Sequence, residues 1–563
     1  MRGGWFLLEP QAPESVFTPE DFTDEHRAIA KTTEEFWNQE VAPHLDEIQH
    51  QQFEILKKIV RKSAELGLTA VFLPERYGGM EMDLTSMTIV AQGVARDGSY
   101  AVCHGAQTGI GSLPLLLFGT EEQKRKYLPK LASAEMFAAY ALTEPQAGSD
   151  ALAARTRADL SADGTHYVLN GQKMWITNGG FADLYTVFAK IGGEKFTAFL
   201  VERQWPGVSP GAEEKKMGLK GSSTTAVYFD KVKVPAENVL GEIGRGHIIA
   251  FNILNLGRLL LGVFAHGGAC EALSASIRYS KERKAFGKPI ADFGLIQEKL
   301  AGMAVRMYAN ESMAYRVVGG IEAQLKTGQE ILKTVEEYAA ECAFIKIFGS
   351  EMLDYVVDEA VQIHGGYGYH QDYEVERAYC DSRINRIFEG TNEINRLLAT
   401  GMLLKRAQRG TLPLMDAVKK LQEEILGGPG AGGSDPVANT KKIGLLLLGA
   451  AYQRFREKIE EQQEILAGIT DVLMDGYAME SALLRARKTG KENAQDMAAV
   501  FASDAMDRIE ISARRVLAAC SEGDALRANL AVLRRFAKRD PIDTIGLRRA
   551  IAARLLDATR YVV

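Results

Sequence analysis

From about Thr23 to Lys130 the apolar residues recur at helical spacing, as in FEILKKIVRKSAELGL, with breaks at LPERYGGMEMD and FGTEEQKRKYLP. The pattern predicts a helical domain over 1–136. Inside it the glycines of HGAQTGIGSLP, His104 to Pro114, weaken helix propensity and leave room for a ligand to lie close. Near Phe137 the period shortens. HYVLNGQKMWIT, LYTVFAKI, KFTAFLVE and TAVYFDKVKV alternate in polarity, are rich in β-branched and aromatic residues, and are separated by Gly, Asn and Asp. They predict a small β-domain over 137–243. Helical periodicity returns at GHIIAFNILNLGRLLLGVFAHGGACEALSASIRYSKERKAFG and continues to about Arg406, long enough for a four-helix bundle over 244–406. The Gly-, Pro- and Ser-rich GGPGAGGSDP, Gly427 to Pro436, marks a linker over 407–439. A further helical domain is expected over 440–563, and no internal repeat is visible.

One acidic residue in this pattern has an unusual setting. In RIFEGTNEINR, Glu389 follows the apolar Ile387 and Phe388 and directly precedes Gly390. A carboxylate in an apolar neighbourhood is tuned toward proton abstraction, because a general base works best when its pKa is near working pH. A glycine beside it lets another group approach the backbone. The same residues also fit a helix start, with Thr391 or Asn392 as cap and Glu393 in the first turn.

Length and composition narrow the class. A chain of 563 residues has room for three or four domains. A formal net charge of −6 offers no basic excess for nucleic acid. Five cysteines, Cys103, Cys270, Cys342, Cys380 and Cys520, lie far apart with no CxxC spacing, so neither a metal site nor a disulfide framework is expected. The N-terminal MRGGWFLLEPQAPES has no long apolar core, and no later run reads as a membrane span of ~18 apolar residues. A cytoplasmic protein is expected.

The order helical, β, helical, with EGT near the end of the second helical domain, resembles the acyl-CoA dehydrogenase family. Four further stretches carry the resemblance: YALTEPQAGSD (Tyr140 to Asp150), QKMWITNGG (Gln172 to Gly180), ERKAFGKP (Glu282 to Pro289) and QIHGGYGY (Gln362 to Tyr369). It covers roughly residues 20–405, and the linker and tail make the chain most similar to the very-long-chain subgroup, which has an additional C-terminal domain. The fold class implied is mainly α with a central β-barrel-like domain, a four-helix bundle and an extra helical domain.

The resemblance implies FAD as cofactor and an acyl-CoA as substrate. Tyr140, Leu142, Thr143 and Ser149 would touch FAD, with Ser149 also near the acyl-CoA. Trp175 would wall the isoalloxazine and Thr177 would face its reactive edge. Arg283, Phe286, Gln362, Gly365 and Gly366 would reach the FAD of a neighbouring subunit, which makes a homodimer the minimum unit; the extra C-terminal domain of the similar subgroup covers the face through which simpler relatives pair their dimers, so a dimer rather than a tetramer is expected. Thr391 and Glu393 complete the cofactor set. Glu389 would be the base that takes the α-proton while a hydride leaves the β-carbon. Asn255, Arg258, Phe388 and Gly390 would lie on the substrate side. A few relatives place the base immediately before an arginine of the third domain; here that position is Gly257, before Arg258, so the role falls to Glu389. Two departures stand out: Gly294 replaces a glutamine of many relatives, and Glu393 replaces a glutamine of some.

The reaction implied is α,β-dehydrogenation of acyl-CoA to trans-2-enoyl-CoA in fatty acid β-oxidation, with an electron-transferring flavoprotein as acceptor. An acyl-CoA oxidase using oxygen and a non-catalytic scaffold or DNA-associated relative are the alternatives. Val102 and Ala106 stand where medium-chain relatives close the acyl pocket with polar side chains, so a long-chain preference is expected. From Arg527 to Arg560 nine Lys/Arg face three Asp/Glu. A membrane surface or acidic partner stays open for this stretch, beside the simpler reading of a solvated helix face.

Overall fold

The computed structural model of the chain describes residues 2–427 and 435–563; the GGPGAGGSDP linker falls largely on 428–434, outside the described residues. Two compact units are present, one of Thr23–Leu260 with Cys380–Asn385, the other of Met1–Phe22, Leu261–Tyr379 and Arg386–Val563.

The first unit starts with helices whose caps are legible residue by residue. Thr23 caps α1 (Asp24–Phe36), its hydroxyl accepting from His26 N. Past a short helical turn at Leu45–Gln49, α2 (Phe53–Glu65) buries Leu56, Ile59, Val60 and Ser63, the helical stripe of FEILKKIVRKSAE. Asp83 caps α3 (Leu84–Val94) and Asp97 caps α4 (Gly98–Gly105). The glycine-rich stretch after α4 does not break the helix; it widens into a π-turn over Ala106–Gly111. Gly111 is required there, since a Cβ would sit 2.5 Å from Ala106 O and 2.6 Å from Ala138 Cβ. Gln107, in the same turn, joins helical and β regions by donating to Leu131 O and Met136 O and accepting from Ala138 N.

The sheet contains β1 (Ala138–Ala141), β2 (Arg157–Leu160), β3 (His166–Thr177), β4 (Leu184–Ile191), β5 (Lys195–Glu202), β6 (Val208–Glu213), β7 (Thr224–Pro235) and β8 (Val239–Leu240). Its order is β6-β7-β3-β2-β4-β5-β8, with β1 joining β4 in parallel. Three of the four alternating segments read from the sequence coincide with β3, β4 and β5, and the fourth lies inside β7. The inward side chains, among them Leu169, Val187, Phe199, Val201, Val227 and Val234, form one fully buried core.

The second unit holds the bundle and the C-terminal domain. Its longer helices are α5 (Gly246–Glu282, from Leu261 onward), α6 (Gly294–Leu325), α7 (Ala339–His364) and α8 (Asn392–Gln408), then α9 (Leu414–Leu426), α10 (Pro436–Phe455), α11 (Gln463–Thr489), α12 (Glu492–Cys520), α13 (Gly523–Ala537) and α14 (Thr544–Ala558). The stretch 407–439, expected as linker, contains α9, which buries Leu414, Val418 and Leu421. Among the described residues two helical stretches, Gly98–Phe118 and Gly246–Glu282, are long and apolar enough to cross a membrane, contrary to the sequence expectation; most of each is buried in the protein, as core helices are.

Residues Met1–Phe22 belong to this second unit, although the sequence places them with the N-terminal helices. Phe6 packs edge-on against Tyr477 at 5.0 Å and Phe344 at 5.9 Å, Gly4 N donates to the buried Glu341, and Arg485 donates to Glu20 at 2.9 Å. Buried ion pairs also stitch the C-terminal domain to the bundle: Arg316–Glu480 at 2.8 Å and Arg485–Glu311 at 2.7 Å. Much of the basic excess near the C-terminus is neutralised by acids of α12, with Arg548 on Asp504, Arg554 on Asp496 and Arg539 on Asp507.

Candidate active site

In the first unit the residues expected on the flavin side are organised by a break in β3. Tyr167, Leu169 and Lys173 point inward at the two-residue period, and the register against β7 then shifts between Lys173 and Ile176. The bulge flips the parity, so Ile176 turns inward and Trp175 turns out. Trp175 stands at φ 61 with 52% of its surface exposed, which excludes a core tryptophan. A non-glycine residue in the left-handed region costs about 1–3 kcal/mol and persists only where its surroundings hold it.

Those surroundings are a buried ion pair that sequence reading missed. Lys173 Nζ donates to Glu144 Oε1 at 2.7 Å and to Leu142 O at 3.1 Å. Glu144 also accepts from Arg155 N at 2.6 Å and Thr156 N at 3.0 Å, and Met174 N donates to Thr143 O at 2.9 Å. Burial pushes the Glu144 carboxyl up, but the Lys173 ammonium and the Arg155 N–H outweigh it and hold it below its usual range. The loop carrying Leu142 and Thr143 is thereby locked to the strand carrying Trp175. Tyr140 and Leu142 are buried, Thr143 and Thr177 half-buried, and Ser149 exposed beside Gly148, where a Cβ would meet nothing. The signal for Lys173 was available in the sequence: it is a lysine at an inward strand position.

At the end of this unit, Arg258 Nη1 donates to Asn255 Oδ1 at 2.7 Å, one turn apart on α5, and both side chains are buried.

In the second unit Glu389 and Gly390 are both left-handed, at φ 59 and 79. Glu389 and Phe388 are half-buried. Thr391 caps α8 by accepting from Ile394 N, so the helix-start reading holds, with Glu389 two residues before the cap. Glu393 is exposed in the first turn, and hydrogen bonding to its own N–H and to the Thr391 hydroxyl holds its carboxyl below the usual range. Asn395 Nδ2 reaches back to the carbonyls of Glu389, Gly390 and Thr391 at 3.3, 2.7 and 3.0 Å. Lys346 Nζ donates to Gly390 O and Asn392 Oδ1, each at 2.7 Å. Neither Lys346 nor Asn395 was read from the sequence; Lys346, a lone cation in AFIKIFGS, was the visible signal.

Elsewhere in the second unit, Arg283 begins a two-stranded hairpin, Lys284–Ala285 with Lys288–Pro289. Its turn residues Phe286 and Gly287 are both at positive φ, and Phe286 is 95% exposed. The Arg283 guanidinium lies 5.6 Å from the Tyr367 ring centre, just past Gly365 and Gly366, where a Cβ would meet nothing. Gln362 is exposed on the last turn of α7. Arg283, Gly365, Gly366 and Tyr367 therefore lie on one accessible face. Gly294 has Arg549 3.7 Å from where its Cβ would be.

Comparison with known proteins identifies the family. The chain matches the acyl-CoA dehydrogenase N-terminal domain over 23–135, the middle domain over 139–232 and the C-terminal domain over 244–403, with a second C-terminal-domain match over 439–535. It is 49% identical to a probable acyl-CoA dehydrogenase of Bacillus subtilis, covering 100% of this chain and 98% of that protein. It is 39% identical to the mitochondrial very long-chain specific acyl-CoA dehydrogenase of Rattus norvegicus, over 76% of this chain and 69% of the relative. The crystal structure of an acyl-CoA dehydrogenase complexed with FAD from Bacillus anthracis superposes with a TM-score of 0.97 at 49% identity, covering 100% of both chains. With all three domains matched in order and relatives alike over the whole length, the chain belongs to the acyl-CoA dehydrogenase family, oxidoreductases acting on CH–CH bonds.

Proposed function

We propose that the chain binds FAD and dehydrogenates long-chain acyl-CoA to trans-2-enoyl-CoA in fatty acid β-oxidation, passing electrons to an electron-transferring flavoprotein. The observation that carries the reading is the Glu389–Gly390 turn, a carboxylate on a left-handed backbone held by Lys346 and Asn395. The residues of the first unit fit FAD: Trp175 offers an exposed flat face, Gly148 leaves open space, and Thr143, Ser149 and Thr177 offer hydroxyls. FAD, when bound, supplies the hydride acceptor. Glu389 takes the proton from the α-carbon, and its backbone N–H donates to the thioester oxygen as negative charge develops there; such a donor is typically worth ~3–4 kcal/mol. Arg258 and Asn255 orient the substrate side.

A homodimer in the cytoplasm is part of the same reading. Phe286, Leu295 and Tyr369 are 95%, 73% and 87% exposed, apolar area that pairing with a second copy would bury. All five cysteines are free thiols, which fits a reducing compartment. Preference for long chains is supported by Ala106, a small buried residue in the π-turn where a polar plug would shorten the pocket.

Glu389→Gln tests the reading. The variant should stay yellow and bind acyl-CoA but lose turnover by at least ~10²–10⁴-fold, because an amide does not accept the α-proton. Near-normal turnover would refute the assignment of Glu389. Bleaching of the flavin by acyl-CoA under nitrogen, with slow return in air, distinguishes dehydrogenase from oxidase.

A further inference from the structure

The turn that carries Glu389 is braced by a chain of polar contacts that ends in the C-terminal domain. Lys346 Nζ, fully buried on α7, holds Gly390 O and Asn392 Oδ1. Asn392 Nδ2 donates to Glu351 Oε1 at 3.0 Å. Glu351 accepts from both terminal guanidinium nitrogens of Arg396, at 2.8 and 3.1 Å. Arg396 Nε donates to Asp471 on α11 at 2.7 Å, and the neighbouring Thr470 hydroxyl donates to Arg396 O at 2.6 Å.

We propose that Lys346 is a positioning residue for Glu389, and that the C-terminal domain, through Asp471 and Thr470, fixes the helix on which that positioning depends. The proposal rests on Glu389 being the base. Of the two consecutive left-handed residues Gly390 adopts its conformation freely, whereas Glu389 is strained there and has to be held. Turning the peptide after Gly390 back toward the right-handed region would pull its carbonyl off a buried ammonium. That charge-assisted bond, unlike a bond between neutral groups, is strong enough to hold the strain. The side chain and N–H of Glu389 both move when this peptide moves. Losing the brace should therefore slow proton abstraction far more than it weakens substrate binding. Arg396 and Asn392 lie on the first two turns of α8, so Asp471 and Thr470 act on the same turn through the helix.

The test uses full-length, FAD-loaded protein and compares Lys346→Met, Lys346→Gln and Asp471→Asn with the parent. Flavin reduction by a straight-chain acyl-CoA is followed by rapid mixing under nitrogen. A 3-thia-acyl-CoA, which gives up its α-proton but is not oxidised, is titrated against pH and its long-wavelength absorption band recorded. For Lys346→Met the reduction rate should fall ~10–100-fold while the apparent Kd for acyl-CoA stays within ~3-fold. The pH at which the band half-forms should move upward. Lys346→Gln, which keeps a donor but no charge, and Asp471→Asn should show smaller shifts in the same directions. If Lys346→Met fails to retain FAD, Lys346→Gln decides the question for Lys346. Parental rates and an unmoved band in a folded Lys346 variant overturn its role, and the same result in Asp471→Asn overturns the part given to the C-terminal domain. Glu389→Gln separates this from the base reading: if that variant still forms the band, Glu389 is not the base, whatever the Lys346 variants do.

Discussion

Replacing Lys173 with methionine, which keeps the volume but removes the charge, should destabilise the first unit and loosen its hold on FAD. The change strips Glu144 of its ammonium at 2.7 Å and Leu142 O of its donor at 3.1 Å, in a place where both side chains of the pair are almost completely buried. Removing one partner of a buried pair costs about 3–5 kcal/mol, mainly because the other charge is left uncompensated. Glu144 keeps the N–H groups of Arg155 and Thr156, so the lower end, about 3 kcal/mol, is expected. For a unit of this size that is a drop of roughly 6–12 °C in the midpoint of its unfolding transition. Thermal unfolding followed by tryptophan fluorescence and by release of FAD fluorescence reads both effects. In acid the sign with pH is fixed by Glu144, since Lys173, brought down to about 8 by burial, stays charged there. The folded pKa of Glu144 lies below the ordinary 4.5, so its stabilisation is present above that value and lost as pH falls through the folded value. The gap between parent and Lys173→Met should therefore narrow in acid. The double variant Lys173→Met with Glu144→Gln should cost less than the sum of the single changes, since neither partner is then left charged alone. A single-variant loss below about 0.5 kcal/mol, or strict additivity of the double variant, refutes the reasoning.

Arg283→Ala should lower FAD occupancy, with a loss of about 1.5–3 kcal/mol for a charge-assisted contact, or roughly 10–100-fold in Kd, measured by absorbance ratio and titration calorimetry. Unchanged FAD affinity counts against a cofactor role for the Arg283 face. Activity over a series of straight-chain acyl-CoAs should peak on the order of twelve to eighteen carbons, each buried methylene adding ~0.8 kcal/mol, and Ala106→Phe should move the peak to shorter chains. A four-to-six-carbon peak that ignores the substitution removes Ala106 from the pocket. Burial pushes Glu341 up to about 7 against the opposing pull of Gly4 N–H, so the folded protein gains a proton between 4.5 and 7 and loses stability as pH rises through that window. Glu341→Gln should flatten this slope in denaturation midpoints taken at pH 5 and pH 8, and an unchanged slope assigns it to another group.

The parts of the fold that are local in sequence are legible in it. β3, β4 and β5 are read to the residue because alternation is set by neighbours two apart, and the cap Thr391 because a cap bonds to a residue two or three ahead. The motif around Glu389 is legible for the same reason: an acid between apolar residues and a glycine is a local statement about environment. The bulge at Trp175 is only half legible. The residue type marks it as special, but its outward turn depends on a parity flip that no local pattern announces. The glycine-rich segment after α4 misleads in the other direction. Propensity predicts a weak helix, whereas Gly111 serves the close approach of a π-turn to β1 that helps keep the helix continuous.

What stays hidden is the pairing of charges far apart in the chain. Arg316 and Arg485 each sit in a helical run where a cation reads as a solvated face, and Lys346 interrupts an apolar run that does not name its partner; all three are buried. A buried cation is stable only with its partners in place, and those partners are Glu480 for Arg316, Glu311 and Glu20 for Arg485, and the Gly390 carbonyl for Lys346. Arg396 makes the point most sharply. It closes the most recognisable motif in the sequence, yet the acid that fixes it, Asp471, belongs to a helix beyond the linker that motif reading treats as an appendage. Helical periodicity identifies that α11 is a helix and which face it buries, but which charge meets which is decided by how helices cross, a property of the assembled unit. The C-terminal domain is therefore better regarded as structural support for the Glu389 turn than as an addition to a finished enzyme, because Thr470 and Asp471 contact the residue that ends the motif.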